Sequence, residues 1–319
     1  MSDVSLPSAA ASADLPDVAP HAPALARQIR RLAALPEAPW LHGEVGRRLA
    51  DKLVPIRIEP AHWVDWSAFL GAGAEAVAAR YPEARRWIME PHAALFERSL
   101  AAWQAGQSSP WWRRWRQASP PVSQADAPRP DGWPADGVQM VWANMTLHAS
   151  ADVPALLAHW HSLLDVGGFL MCSGLGPDTA TELRGVYRAL GWPLPTVDFI
   201  DMHDLGDELV QAGFQDPVMD MERLTLTWPD ATAMLAELRT WGGNVAVGRH
   251  AGLRTPRWRE RLLQALEAHC RRPDGRLGLT VELVYGHALK PLPRPKLAAE
   301  TRVSLDDMKR MVRHGHDRT

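Results

Sequence analysis

The sequence predicts an α/β fold: an open, mostly parallel sheet with helices on both faces. Two observations predict it. Short apolar segments alternate with amphipathic or alanine-rich segments along most of the chain, the pattern of a parallel sheet with helical crossovers. Val138 to His148, a helical run from Asp152 to the stop at Asp165–Gly168, and apolar Phe169 to Cys172 then read as strand, helix and strand in one unbroken stretch.

The elements follow in order. Leu41, Val45, Leu49 and Leu53 recur at helical spacing, with Arg47, Arg48 and Lys52 off that face, so Leu41 to Leu53 is an amphipathic helix ending before Pro55. Ile56 to Ile58 is extended, and Pro60 punctuates it. His62 to Asp65 is the first strand. Gly71 to Tyr81 is an alanine-rich helix closed by Pro82, Arg86 to Glu90 is the second strand, and Pro91 opens a helix to about Trp103. A third strand falls near Val122 to Asp126. Pro120, Pro121, Pro128 and Pro130 make it short or edge-like, because proline cannot donate to a ladder.

After Cys172 come a loop, a helix from Asp178 to Leu190, a shorter helix from His203 to Ala212 ended by Gly213, and a strand from Pro217 to Thr227. Ala231 to Trp241, stopped by Gly242 and Gly243, and Pro256 to Arg271 are two further helices. The last strand, Gly278 to Leu289, alternates through Leu279, Val281, Leu283 and Tyr285. Pro291, Pro293 and Pro295 mark the domain end, and Ser304 to Asp307 resembles a capping box opening a short terminal helix. The expected organisation is a disordered tail over 1–24, one domain over 25–290, and a tail over 291–319.

Composition narrows the function classes. The 319 residues are 46% hydrophobic, enough for a sizeable core in one large domain. A net charge of −2 gives no bulk attraction to nucleic acid or to a membrane. No apolar run approaches the ~20 residues that span a bilayer, and the start of the chain lacks the basic-then-apolar pattern of a secretory signal. Cytoplasm is the expected location. Cys172 and Cys270 have no metal-ligand spacing and make no disulfide framework.

Open α/β sheets bind ligands beyond the carboxyl ends of their strands, where strand order reverses. Asp65, Glu90, Trp142 to Asn144 and Ser173 all fall at such ends and are expected to line one crevice. Glu90, about 25 residues after the first strand, can accept two hydrogen bonds from a ribose diol. An acid before a proline-started helix equally suits the helix dipole. The turn after Asp65 reads Trp66-Ser67-Ala68-Phe69-Leu70-Gly71-Ala72-Gly73. A nucleoside packs against backbone at such a turn, so side chains must be absent. In the ungapped register Ser67 and Phe69 stand at two of three glycine positions, and Phe69 points its bulk at the ligand or fills its place. Arg249 offers a bidentate grip for a carboxylate. The bland alternative is one more exposed cation beside His250, Arg254, Arg257, Arg259 and Arg261, a basic surface that also suits an acidic partner. The Trp111 to Arg116 cluster reads as an aromatic anchor rather than a single-strand platform. His148 and His203 read as structural histidines before general bases.

Several segments carry a family pattern. They are His42 to Leu49, Arg80 to Pro82 with Glu90, Val141 to Asn144 with Leu147-His148, and Gly174 to Thr179. The most specific series is Trp241 to Asn244, Gly248-Arg249, Gly252-Leu253, Asp274 to Leu277 and Tyr285 to Ala288. Together they resemble the malonyl-acyl-carrier-protein O-methyltransferases of biotin synthesis, which are class I S-adenosylmethionine (SAM) methyltransferases. The resemblance implies a Rossmann-like, seven-stranded, mostly parallel sheet with a helical lid, about 229–276, inserted between the last two strands. It implies SAM as methyl donor and the free carboxylate of malonyl-acyl carrier protein as acceptor. Asp65, Gly71, Glu90, Asp126 and Asn144 would stand on the cofactor side and Arg249 at the carboxylate. No catalytic base is implied, because a carboxylate is already a nucleophile and alignment suffices.

The departures gather on the cofactor side. Leu35-Pro36 replaces the family's Tyr-Asp pair, Gln139 an acid, and Asp126 keeps the third-strand acid only with an inserted residue. Two readings stay open at this point: a working methyltransferase with an altered turn, or a non-catalytic homologue that binds carrier protein or a biotin-pathway partner.

Overall fold

The computed structural model describes residues 20–106, 120–250 and 252–292. Helices α1 (Ala22–Ala33) and α2 (Trp40–Asp51) precede β1 (His62–Trp66). The turn after β1 holds α3 (Ala68–Gly71) and leads to α4 (Ala74–Arg80), β2 (Arg85–Glu90), α5 (Ala93–Gly106) and β3 (Val122–Gln124). Next come β4 (Val138–Ala143), α6 (Val153–Leu163), β5 (Leu164–Leu175), α7 (Thr181–Ala189), α8 (Met202–Gln211) and β6 (Gln215–Trp228). Two helices, α9 (Ala231–Thr240) and α10 (Pro256–His269), stand between β6 and β7 (Leu277–Leu289).

The strands form one sheet in the order β3-β2-β1-β4-β5-β7-β6. The first five pair in parallel, and β7 runs antiparallel to both β5 and β6. Strand order reverses between β1 and β4, so the carboxyl ends of these two neighbours open the crevice that such topologies offer. This is the expected α/β class with its seven-stranded, mostly parallel sheet.

Alternation along each strand sends side chains to two cores. Val64, Trp66, Val141, Ala143, Leu157 and Trp160 fill one face of the sheet. Trp63, Met140, Trp142, Phe169 and Met171 fill the other, under Leu41, Val45 and Leu49 of α2. Burial on both faces explains why the central strand β4 and the Phe169 to Cys172 part of β5 read as almost continuous apolar runs. Gly137 (φ +112°), just before β4, permits a close backbone approach, since a Cβ there would sit 2.7 Å from the Leu163 carbonyl oxygen.

Several element boundaries differ from the sequence reading. The helix expected over Gly71 to Tyr81 is broken at Ala72 and Gly73, which take φ of +54° and +77°. The third strand is only Val122–Gln124. The strand expected over Phe169 to Cys172 extends in both directions, directly from the end of α6. Helix α1 begins at Ala22, inside the segment expected to be a tail; Leu25, Ile29 and Leu32 on one face, Pro23 in the first turn and Arg30-Arg31 in the last were its signals. The Trp111 to Arg116 cluster and the Ser304 to Asp307 cap lie outside the described residues. Among the described residues no helix is long and apolar enough to cross a membrane.

Helix α2 presses its Gly46 against the break after α3. A Cβ on Gly46 would meet the Gly73 Cα at 3.0 Å and the Asn144 amide nitrogen at 3.1 Å. Overpacking of this kind costs roughly 1–3 kcal/mol. Gly46→Ala should therefore lower the urea midpoint clearly, and an unchanged midpoint would show that α2 does not clamp the turn.

Candidate active site

The site grows from the turn after β1. Ser67 adopts the left-handed conformation (φ +58°) that glycine would take without strain, so serine holds a glycine's place in backbone terms. The chain then winds one short turn, α3, rather than a bare loop. Phe69 does not point at the crevice as expected. Its ring packs against the apolar cluster that Leu70, Leu95 and helix α1 share, and the Arg98 guanidinium lies 3.5 Å from the ring centre.

Asn144, fully buried, ties the turn down. Its Nδ2 donates to the carbonyl oxygens of His42, at 2.8 Å, and Gly71. Its Oδ1 accepts from Ser173 Oγ at 2.7 Å, and that hydroxyl accepts from the Met145 N–H at 2.8 Å. One amide thus joins α2, the turn, β4 and β5.

The two acids at the strand ends are buried as well. Asp65 accepts from the Arg86 guanidinium (Nε at 2.9 Å). Burial raises its pKa and Arg86 pulls the other way. Glu90 Oε1 accepts from Ser99 Oγ at 2.6 Å, while Oε2 is buried without a hydrogen-bond partner. Burial pushes the Glu90 carboxyl up to about 8; Ser99 opposes this, Asp65 adds to it, and the N–H groups of Ala68 and Phe69 oppose it again.

A cavity of about 400 Å³ opens beside these groups. Its floor is Trp66 at the end of β1, Ser67 and Leu70 after it, Pro91 and His92 after β2, and Met145, Thr146 and His148 after β4. Leu25, Ile29 and Leu32 of α1 cover it, together with Trp241 at the end of α9. Among the described residues no Asp, Glu, Lys or Arg lines it. The two most buried histidines at its wall are neutral. Burial holds His42 down to about 4 and His148 to about 3. His42 Nδ1 lies 2.6 Å from the Leu70 carbonyl oxygen, an acceptor, so Nδ1 carries the proton.

The expected site residues therefore gather, with a shift of one or two positions. Asp65, Gly71, Glu90 and Asn144 surround the turn, but the cavity wall is made by the residues just after the strand ends. Asp126 is exposed in the turn after β3 and is not part of the wall. Arg249 lies in the loop between α9 and α10, where it donates to the Ala246 carbonyl oxygen at 2.8 Å, and it too is outside the wall. His203 is the second residue of α8, and its N–H bonds the capping Asp201. The sequence reading missed α1 as a cover, along with His42 and Trp241 as wall residues.

A nucleoside sulfonium fits this cavity. The volume lies within the range of small-molecule sites, the place is the switch point of the sheet, and the unpartnered Glu90 Oε2 directly precedes the wall residues Pro91 and His92. The usual bare glycine cradle is replaced by α3. Among the described residues no cluster of His, Cys, Asp or Glu could hold a metal ion.

Comparisons with known proteins agree with this geometry. The chain is 38% identical over 259 residues to a malonyl-acyl-carrier-protein O-methyltransferase of Gallionella capsiferriformans, covering 80% of this chain and 85% of that protein. It is 37% identical over 271 residues to a protein of the same name from Laribacter hongkongensis, covering 84% and 88%. The YcgJ protein of Bacillus subtilis shares the fold, with a TM-score of 0.50 at 12% identity over 78% of this chain and 99% of that one. No family model matches the chain.

Two outcomes follow from the buried polar groups. Asn144→Asp would set a carboxylate against two carbonyl oxygens, and each lost partner costs roughly 1–3 kcal/mol; denaturant unfolding should show a loss of at least that size, and a near-neutral change would remove Asn144 as the tie. The second concerns pH. His42 and His148 titrate below their unfolded value of 6.5, so the stability tied to their neutral forms is complete above pH 6.5 and declines as pH falls toward 4. Glu90 behaves oppositely: its contribution is complete below its unfolded value of 4.5 and is lost as pH rises toward 8. Glu90→Gln should flatten the alkaline decline in melting temperature, and a variant with the wild-type slope would show that Glu90 is already ionised in the fold.

Proposed function

The chain belongs to the family of malonyl-acyl-carrier-protein O-methyltransferases, and from that premise we propose that it methylates the free carboxylate of malonyl-acyl carrier protein in biotin synthesis, in the cytoplasm. The observation that carries this reading is the uncharged cavity at the reversal of strand order, sized for a small ligand and covered by α1 and Trp241. When bound, SAM supplies an electrophilic methyl group on a sulfonium. The protein's own tasks are then few. Leu70 and Met145 give the cavity apolar surface beside Ser67, and Glu90, buried behind Pro91, is the acid assigned to a ribose hydroxyl. Neutral His42 and His148 place no second cation next to the sulfonium. No side chain has to take a proton, because a malonyl carboxylate is ionised at neutral pH; orientation and exclusion of water supply the acceleration.

Arg249 is assigned to the malonyl carboxylate. It is half-buried in the loop that α1 holds, where Arg31 donates to the Gly242 carbonyl oxygen at 2.8 Å and the His21 N–H to that of Val245 at 2.7 Å. Asp65, Gly71, Glu90, Asp126 and Asn144 remain assigned to the cofactor side, with Asn144 acting through the turn it fixes.

Titration calorimetry with SAM tests the reading directly. Micromolar binding is expected; no heat at millimolar SAM would leave only a non-catalytic binder of carrier protein. Arg249→Ala should leave SAM affinity unchanged and raise the KM for the malonyl substrate by about tenfold or more, the scale of a lost charge-assisted pair. Equal loss of both ligands would refute the assignment of Arg249.

A further inference from the structure

The geometry points to the α10 face of the insertion as the surface that receives the carrier protein. This rests on the methyltransferase reading for the identity of the partner. Trp258, near the start of α10, stacks on Trp192, with ring centroids 4.6 Å apart and planes 22° from parallel. The Arg254 guanidinium lies 4.2 Å from the Trp258 ring, and that of Arg261 lies 5.8 Å from the Trp192 ring. Two cations are therefore held on one aromatic platform, with little side-chain freedom left to lose on binding.

These arginines are exposed, as are Arg257 and Arg259, and among the described residues none of the four makes an ion pair. Glu260 is the one carboxylate from Gly252 to Leu266. Four guanidinium groups thus face solvent within eight positions. Leu253, beside Arg254, is 97% exposed. A fully exposed leucine among unpaired arginines suits a folded acidic partner with an apolar spot better than a free small anion.

The platform is also coupled to the cavity. Trp192 and Trp258 pack on the apolar cluster of α7, α9 and α10, and the same cluster includes Trp241, which stands in the cavity wall. A carrier protein seated on this face would present its acyl arm beside the lid rather than across the molecule.

The test separates docking from chemistry. Binding of malonyl-acyl carrier protein is measured by calorimetry at low and high salt, alongside turnover of malonyl-pantetheine free of carrier protein. The variant Arg254→Glu with Arg261→Glu should weaken carrier binding about tenfold or more and abolish most of its salt dependence. Turnover of malonyl-pantetheine and SAM affinity should stay at wild-type levels. Arg254→Lys with Arg261→Lys, which keeps the charge, should restore most of the affinity. If the doubly reversed chain does not fold, Arg257→Glu, whose side chain sits on no ring, carries the same expectation at smaller size. Unchanged carrier affinity, equal loss with both substrates, or binding of a single-stranded oligonucleotide in place of the carrier would overturn the proposal. Carrier binding that persists in a protein unable to bind SAM would defeat the enzymatic reading and leave the surface standing.

Discussion

One buried amide organises the site. Asn144 spends its two donors on carbonyl oxygens from different elements and its acceptor on Ser173. Backbone oxygens buried at such a junction need partners, and a side chain that satisfies two at once fixes their separation. The position of the turn after β1 then follows. Leu70 offers its carbonyl to His42, Gly73 lies against Gly46, and Ser67 is held left-handed. Shape at the carboxyl edge is therefore set from inside the protein, where solvent cannot compete for the same hydrogen bonds.

The electrostatic arrangement is unusual for a place that receives ions. Charged side chains at this edge are either neutralised by burial, as with Glu90, or paired, as with Asp65 and Arg86. Fixed charges lie behind the wall or out on the insertion. In a dry cavity an uncompensated charge is costly. A positively charged donor and a negatively charged acceptor would therefore favour each other's entry, each supplying the counter-ion that the wall lacks.

Much of this was legible in the sequence. Strand and helix alternation gave the class, because apolar runs bounded by Gly and Pro have few other uses, and the Trp241 to Arg249 and Asp274 to Ala288 series pointed to the family. Local conformation was harder. Ser67 and Phe69 suggested an obstructed crevice, yet a single turn of helix swings Phe69 toward Arg98 and leaves space on its other side. No periodicity argument resolves a four-residue helix. The acids do stand at strand ends, but their depth was not legible: whether a carboxyl faces a crevice or turns inward depends on partners such as Ser99 and Arg86, which come from other elements. Helix α1 was readable from Leu25, Ile29 and Leu32; the Ala- and Pro-rich segment before it masked the signal.

That first helix is fastened at its start to the loop between α9 and α10. His21 and Pro20 are stitched to Val245 and Ala246, so the two residues before α1 and the loop near Arg249 form a single clasp. Trimming to residue 25 on compositional grounds would remove half of that clasp and loosen the start of the helix that covers the cavity. A shortened protein could keep its sheet intact and still lose its ligand, a defect easily mistaken for an ancestral loss of catalysis.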